Sequence, residues 1–290
     1  MEEKIYSEGK CLFCGKIFAK EVINSHLNDH INEIANTGKA GKSFLVKVVN
    51  CKSIDAVEQL LALPGVVTNK IYDNNDAAPY FLNFWIDGAT KLEEIDGVLR
   101  NIWLDCCGHN SAFYDPKRKS ASRGKYDVAD AYEFLRFGDV AKYEKIMKDI
   151  VGEIPMRHRS KKIFYRGLTL DYEYDFGSST FLTLEVVEEY PVKAKKRIVF
   201  LSRNEPLQIM CSLCNKVPAT QVCAIDAHVF CDKCAKKHAK KCFDFAEYAS
   251  MPVVNSPRMG VCGYEGGSID KERDGIYCRH YDSPMNELNQ

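Results

Sequence analysis

The sequence predicts an α+β protein, with a mixed, antiparallel sheet and packed helices, flanked by small zinc-binding modules. Three observations predict it. Strand-like and helix-like stretches are mixed between residues 43 and 203. The late strands come as hairpins, which implies antiparallel pairing. Cysteines and histidines fall in metal-type pairs near both ends of the chain. A length of 290 residues leaves room for two ordinary domains, or for one domain plus small metal modules.

Residues 1–40 hold the first module. Cys11 and Cys14 bracket two residues, and His26 and His30 lie one helical turn apart on the same side. Two cysteines from a tight turn and two histidines from a helix complete a tetrahedral site. Phe18 and Ile23 supply a small core. This pattern resembles a C2H2 finger, with one residue fewer before the first histidine than is usual. The helix positions that would reach bases fall on Ser25, Val22 and about Ala19. None of these is a bidentate donor for guanine or adenine, and a single finger covers only about three base pairs. The expectation is a structural or protein-binding finger. GKAGKS at 38–43 lacks the spacing of a phosphate loop and reads as a linker.

Residues 43–203 form the central domain. SFLVKVV (43–49) and YFLNFWI (80–86) read as strands. Ser53 is placed to cap a helix that runs to Leu63 and stops at Pro64-Gly65. Thr90 to Glu93 reads as a capping box for a helix whose apolar face is Leu92, Ile95, Val98, Leu99, Ile102 and Trp103. Residues 115–126 are a basic loop. Residues 127–150 read as helix with a break near Gly138, and 151–162 as a basic connector. LTLDYEYDFG and STFLTLEVVEEY are two strands around a turn at Gly177-Ser178, with Asp175 capping that turn. KKRIVFLSR (195–203) is a further strand.

Residues 204–250 form the third unit. Its ligand candidates are Cys211, Cys214, Cys223, Asp226, Cys231, Cys234, His238 and Cys242. That is too many for one ion and right for two. A cross-braced arrangement gives Cys211, Cys214, Cys231 and Cys234 to one zinc, and Cys223, Asp226, His238 and Cys242 to the other. The order of these pairs resembles a B-box zinc finger. Residues 251–290 read as an irregular, packed tail that ends polar. In it Cys262 could join Cys278 and His280 at a further metal site, with free cysteines as the default.

Composition narrows the function classes. Lysine plus arginine equals aspartate plus glutamate, at 40 each, so nucleic acid or an anionic membrane would be met only through local patches. The patches available are 115–125, 157–162 and KKHAKK at 236–241. No apolar run of about 18 residues predicts a membrane span. The polar start MEEKIYSEGKC lacks the apolar core of a signal peptide. Thirteen cysteines are an odd number and mostly sit in metal-type pairs, which points to reduced thiols in a cytoplasm.

Two motifs in the central domain carry a wider resemblance. They are RNIWLDCCGHNSAFY (100–114) and YEYDFGSSTFLTLEVVE (172–188). Together they resemble the plasmid pRiA4b open-reading-frame-three-like family, whose relatives are also labelled insertion-element passenger proteins. SRNEPL (202–207) and SPRMGVCGYEG (256–266) are similar to a subgroup of it. The resemblance implies a compact α+β domain and an association with mobile elements, without an activity. Ser179 to Phe181 stand where that family usually has Trp and His after the turn.

Chemistry in this domain would have to come from Asp105, Cys106, Cys107, His109, Ser111 and Asp175. A Cys107–His109 pair could make a thiolate nucleophile. The alternative, favoured here, is that Cys106 and Cys107 are small core residues and His109 a hydrogen-bonded structural histidine. Tyr172, Tyr174, Phe176 and Phe181 could stack bases, but read better as core because few basic residues accompany them. The expectation is therefore a non-enzymatic interaction or scaffold protein with about three structural zinc ions and no catalytic residue. A protein partner is favoured and nucleic acid is possible. The alternatives are a nucleic-acid-binding accessory protein of a mobile element and a cysteine-dependent enzyme.

Overall fold

The computed structural model describes residues 7–51, 80–117, 133–134 and 136–269. The expected helix from Ser53 to Leu63, most of the basic loop at 115–126, and Cys278 and His280 lie outside the described residues.

The molecule is built on a nine-stranded sheet in the order β2-β1-β9-β4-β3-β8-β7-β5-β6. Its strands are β1 (Glu8–Cys11), β2 (Ile17–Ala19), β3 (Ala40–Cys51), β4 (Phe81–Asp87), β5 (Ser111–Tyr114), β6 (Glu153–Ile154), β7 (Thr169–Tyr174), β8 (Thr180–Val192) and β9 (Ile198–Asn204). Every neighbouring pair is antiparallel. With its helices this is the expected α+β class. The helices are α1 (Ile23–Ala35), α2 (Leu92–Leu99), α3 (Val140–Val151), α4 (Ser160–Ile163) and α5 (Asp232–His238).

The register of β4 explains the layering. All seven of its residues are buried. Leu82, Phe84 and Ile86 join one core cluster, whereas Phe81 and Trp85 join another. A strand with apolar side chains on both faces must be covered on both. One face is covered by Leu92, Ile95 and Leu99 of α2, continued by Ile102 and Trp103 of a π-turn at Arg100–Leu104. The other is covered by Ile23, Leu27 and Ile31 of α1. The finger segment is therefore joined to the central sheet. β1 pairs with β9, with Lys10 opposite Arg203, and the Tyr190 hydroxyl donates to Asn28 Oδ1 at 2.6 Å. A Cβ at Gly9 would come within 2.5 Å of the Phe81 ring, so only glycine lets β1 lie this close.

Two local expectations shift and a third holds. Residues 40–43, expected as linker, already belong to β3, because Ala40 pairs with Val192 and the Lys193 amide donates to Lys39 O at 2.9 Å. The capping box moves by one residue. Glu94 accepts from the Lys91 amide at 2.8 Å, while the Thr90 hydroxyl donates to Arg197 O at 2.6 Å. The break near Gly138 is present, with φ +81, and α3 starts after it, capped by Asp139 accepting from the Lys142 amide at 3.1 Å. Tyr172, Tyr174 and Phe181 are core, as expected, and Phe176 is exposed.

One buried acid on this sheet has a predictable cost. Burial raises the pKa of Glu173, and hydrogen bonds from Ser179 (2.6 Å) and Tyr114 (3.1 Å) offset only part of this. A carboxyl with a raised folded pKa binds its proton more tightly when folded. Its ionised form costs stability above that pKa, and the cost vanishes below the unfolded value of about 4.3. Glu173→Gln is expected to raise the urea midpoint at pH 7, with the gain gone at about pH 4. An equal effect at both pH values would remove ionisation as its cause.

Candidate metal centres

A tetrahedral ion with metal–sulfur bonds of about 2.3 Å and metal–nitrogen bonds of about 2.0 Å sets sulfur–sulfur edges of about 3.8 Å and nitrogen–nitrogen edges of about 3.3 Å. Among the described residues, four groups of side chains approach this geometry, each with ligand atoms within 4.8 Å of one another.

The first is Cys11, Cys14, His26 and His30, the expected set. The loop from β1 to β2 folds back through Gly15, at φ +72, whose amide donates to Cys11 O at 2.8 Å. α1 brings in the two imidazoles, with Nε2 atoms 3.1 Å apart. The Cys14 sulfur lies 3.2 Å from His26 Nε2. Phe18 stacks on His26 with centroids 4.0 Å apart. The Lys16 amide and the nearby imidazoles lower the Cys14 thiol to about 6, whereas burial pushes Cys11 up.

The second is Cys211, Cys214, Cys231 and Cys234, again as expected. Two tight turns present the pairs. Asn215, at φ +48, donates its amide to Cys211 O, and the Cys234 amide donates to Cys231 O, both at 2.9 Å. At Cys211, burial acts upward but the amides of Cys231, Cys214 and Leu213 outweigh it and bring the thiol to about 6. Burial drives Cys234 up to about 12.

The third is Cys223, His238 and Cys242. A three-stranded sheet holds Cys223, in the order β11-β10-β12, with β10 at Gln221–Cys223, β11 at Val229–Phe230 and β12 at Ser250–Pro252. α5 carries both Cys234 and His238, so one helix serves two centres. His238 Nε2 is buried without a hydrogen-bond partner, which a buried polar atom avoids unless something else satisfies it. A ring nitrogen of His238 lies within 4.8 Å of both thiol sulfurs, and its ring stacks on Phe230 with centroids 4.3 Å apart. This orphaned nitrogen fits a metal ligand. The fourth expected ligand, Asp226, places Oδ2 3.7 Å from His238 Nε2 and 3.3 Å from His228 Nδ1. Asp226→Ala is expected to weaken this centre without emptying the all-cysteine one, read as the loss of one ion by native mass spectrometry. Loss of both ions would mean that the ligands are paired wrongly.

The fourth group, Cys106, Cys107, His109 and Cys262, joins residues that the sequence left apart. Cys107 and His109 do meet in a turn, with Sγ and Nε2 2.9 Å apart. Asp175 caps its hairpin turn as expected, accepting from the amides of Gly177 (3.1 Å) and Ser178 (3.2 Å). Its other oxygen binds Arg258, a fully buried cation that sequence reasoning passed over. The only sign of it was a lone arginine in an otherwise uncharged stretch, SPRMGVCGY. Ser111 belongs elsewhere, donating to Asp96 at 2.6 Å and accepting from Arg100 at 2.7 Å.

Among the described residues, no helix is long and apolar enough to cross a membrane. No protein-family model and no curated protein matches the chain. Among solved structures, it is similar to a protein of unknown function, MM3350, from Methanosarcina mazei Go1, at 10% identity over 56% of this chain and 68% of that one, with a TM-score of 0.32.

Proposed function

We propose that this chain is a zinc-stabilised, non-enzymatic interaction protein of the cytoplasm, associated with mobile elements as its motif resemblance implies. The observation that carries the reading is the make-up of the centres. The first and second groups each offer four protein donors, which leaves no position for water or substrate and is the mark of a structural zinc site. Thiolate and imidazole donors favour zinc over the oxygen-seeking ions. Exposed apolar side chains support a protein partner. Ile17, Val22, Leu213, Val217, Ile225, Phe243 and Tyr248 are all exposed, and all lie in the ligand-bearing segments or next to them. Where exposed apolar groups form a contiguous patch, they mark interaction sites.

Cobalt substitution tests the structural role. The visible bands of the cobalt-loaded protein are expected to stay unchanged when azide is added, because the first two groups leave no position open and Asp226 is read as closing the third. A band shift would mean an open position and would move the reading towards catalysis. Nucleic-acid binding is tested by the anisotropy of mixed-sequence DNA and RNA at rising salt. A steep fall in affinity would transfer the reading to a nucleic-acid accessory protein. The 2.9 Å contact of Cys107 with His109 favours a second reading, a cysteine-dependent enzyme. Against it, hydrogen bonding to Cys106 heads the causes that push the Cys107 thiol up to about 11. Unusually fast alkylation of that one thiol would favour the enzyme.

A further inference from the structure

We propose that Cys106, Cys107, His109 and Cys262 bind a further zinc-class divalent ion, and that this ion staples the C-terminal segment to the central sheet. This inference stands independently of the functional reading above.

The sulfur geometry is the primary observation. Cys106 and Cys107 Sγ lie 3.8 Å apart, and Cys107 and Cys262 Sγ 3.9 Å apart. These match the edges of about 3.8 Å that a tetrahedral zinc imposes, and far exceed a disulfide bond of about 2.05 Å. His109 Nε2 faces the same space, 2.9 Å from Cys107 Sγ and 3.2 Å from Cys262 Sγ. Three soft sulfurs and one imidazole are the donor set of a structural zinc site. Cys262 is 153 positions from His109 in sequence, so local chain geometry does not bring them together.

Both sides of the site are held by independent bonds. Asp105 Oδ1 accepts from the Gly108 amide (3.0 Å) and the Tyr174 hydroxyl (2.8 Å), which fixes the turn carrying Cys106 to His109. Gly108 sits at φ +80, where a side chain would be strained. On the other side, the Ser256 hydroxyl donates to Trp103 O at 2.6 Å. Arg258 donates to Ser178 O (3.0 Å) and Thr180 Oγ1 (3.1 Å). Its Nη2 also reaches Cys106 Sγ at 3.6 Å, a buried cation beside a ligand sulfur. Outer partners of this kind orient ligands and offset thiolate charge. Asp175 Oδ2, which Arg258 neutralises, lies 3.4 Å from His109 Nε2.

The test uses the full chain, purified without chelator and loaded with zinc alone. Native mass spectrometry is expected to find one ion fewer in Cys262→Ser than in the parent, one fewer in Cys107→Ser, and still only one fewer in the double variant. No difference from the parent overturns the site. Should a variant misfold and lose several ions, alkylation of the unmodified chain decides. Cys107 and Cys262 are exposed, so burial does not protect them from iodoacetamide. Slow alkylation that becomes fast on adding chelator supports the ion. Fast alkylation of the zinc-loaded chain overturns it, as does a mass two hydrogens short, which would mean a Cys107–Cys262 disulfide.

Discussion

Replacing Cys234 by serine is expected to unfold residues 211–242 while the nine-stranded sheet stays folded. Of the two apolar clusters that the segment joins, one consists largely of the ligands themselves, Cys211, Cys223, Cys231 and Cys234, with Phe230, Ala235 and Phe245, and the other takes only Ala219, Val222 and Val229 from it. Its strands β10, β11 and β12 run three, two and three residues, too short to persist by pairing alone. Structural zinc supplies about 10–16 kcal/mol of apparent binding energy to finger peptides, and in such modules that energy is folding energy. Because α5 starts from the Cys231–Cys234 turn and ends at His238, emptying the all-cysteine centre releases the start of the helix that carries His238. Native mass spectrometry should therefore lose two ions, and hydrogen exchange should lose protection across the segment. A variant that keeps both its ions and its protection would show that packing, not metal, holds the module.

Arg258→Leu should cost about 3–5 kcal/mol of stability, measured as a lowered urea midpoint, since breaking a buried pair leaves a buried charge behind. The Arg258 side chain is fully buried and that of Asp175 is only 7% exposed. At Asp175 burial acts upward, but the Arg258 hydrogen bond and the amides of Ser178 and Gly177 outweigh it and keep the carboxyl ionised. Adding Asp175→Asn should recover part of the loss. The amide retains an oxygen for the turn and carries no charge, so the double variant should be less damaged than the sum of the singles. A loss within about 0.5 kcal/mol would place Arg258 with ordinary surface substitutions, and would mean that water reaches the pair.

Much of the first three metal groups was legible in the sequence, because close ligand spacing is a local property. Cys11-x-x-Cys14, His26-x-x-x-His30 and the run from Cys211 to Cys242 bring their atoms together through single turns and single helices. The β7–β8 hairpin and the apolar face of α2 were legible for the same reason. Asp226 shows the edge of such reasoning. Its spacing after Cys223 suits a ligand, yet it lies outside the group of Cys223, His238 and Cys242 and its carboxylate pairs with His228, which spacing does not reveal.

What the sequence determined by itself was thus the α+β class, the strands β3, β4, β7, β8 and β9 and the local ligand pairs, while β5 and β6 were not read from it. Tertiary structure decided the rest. It placed the finger helix as the cover of the second sheet face, because β4 carries apolar side chains on both sides and α1 supplies the matching apolar stripe. It also brought Cys262 to Cys107 and Arg258 to Asp175. Those residues are separated by 155 and 83 positions, and only the path of the tail across the π-turn and the hairpin makes them neighbours. Periodicity and spacing encode what one element does. Contacts between distant elements depend on how the elements close on one another, and no single segment carries that information.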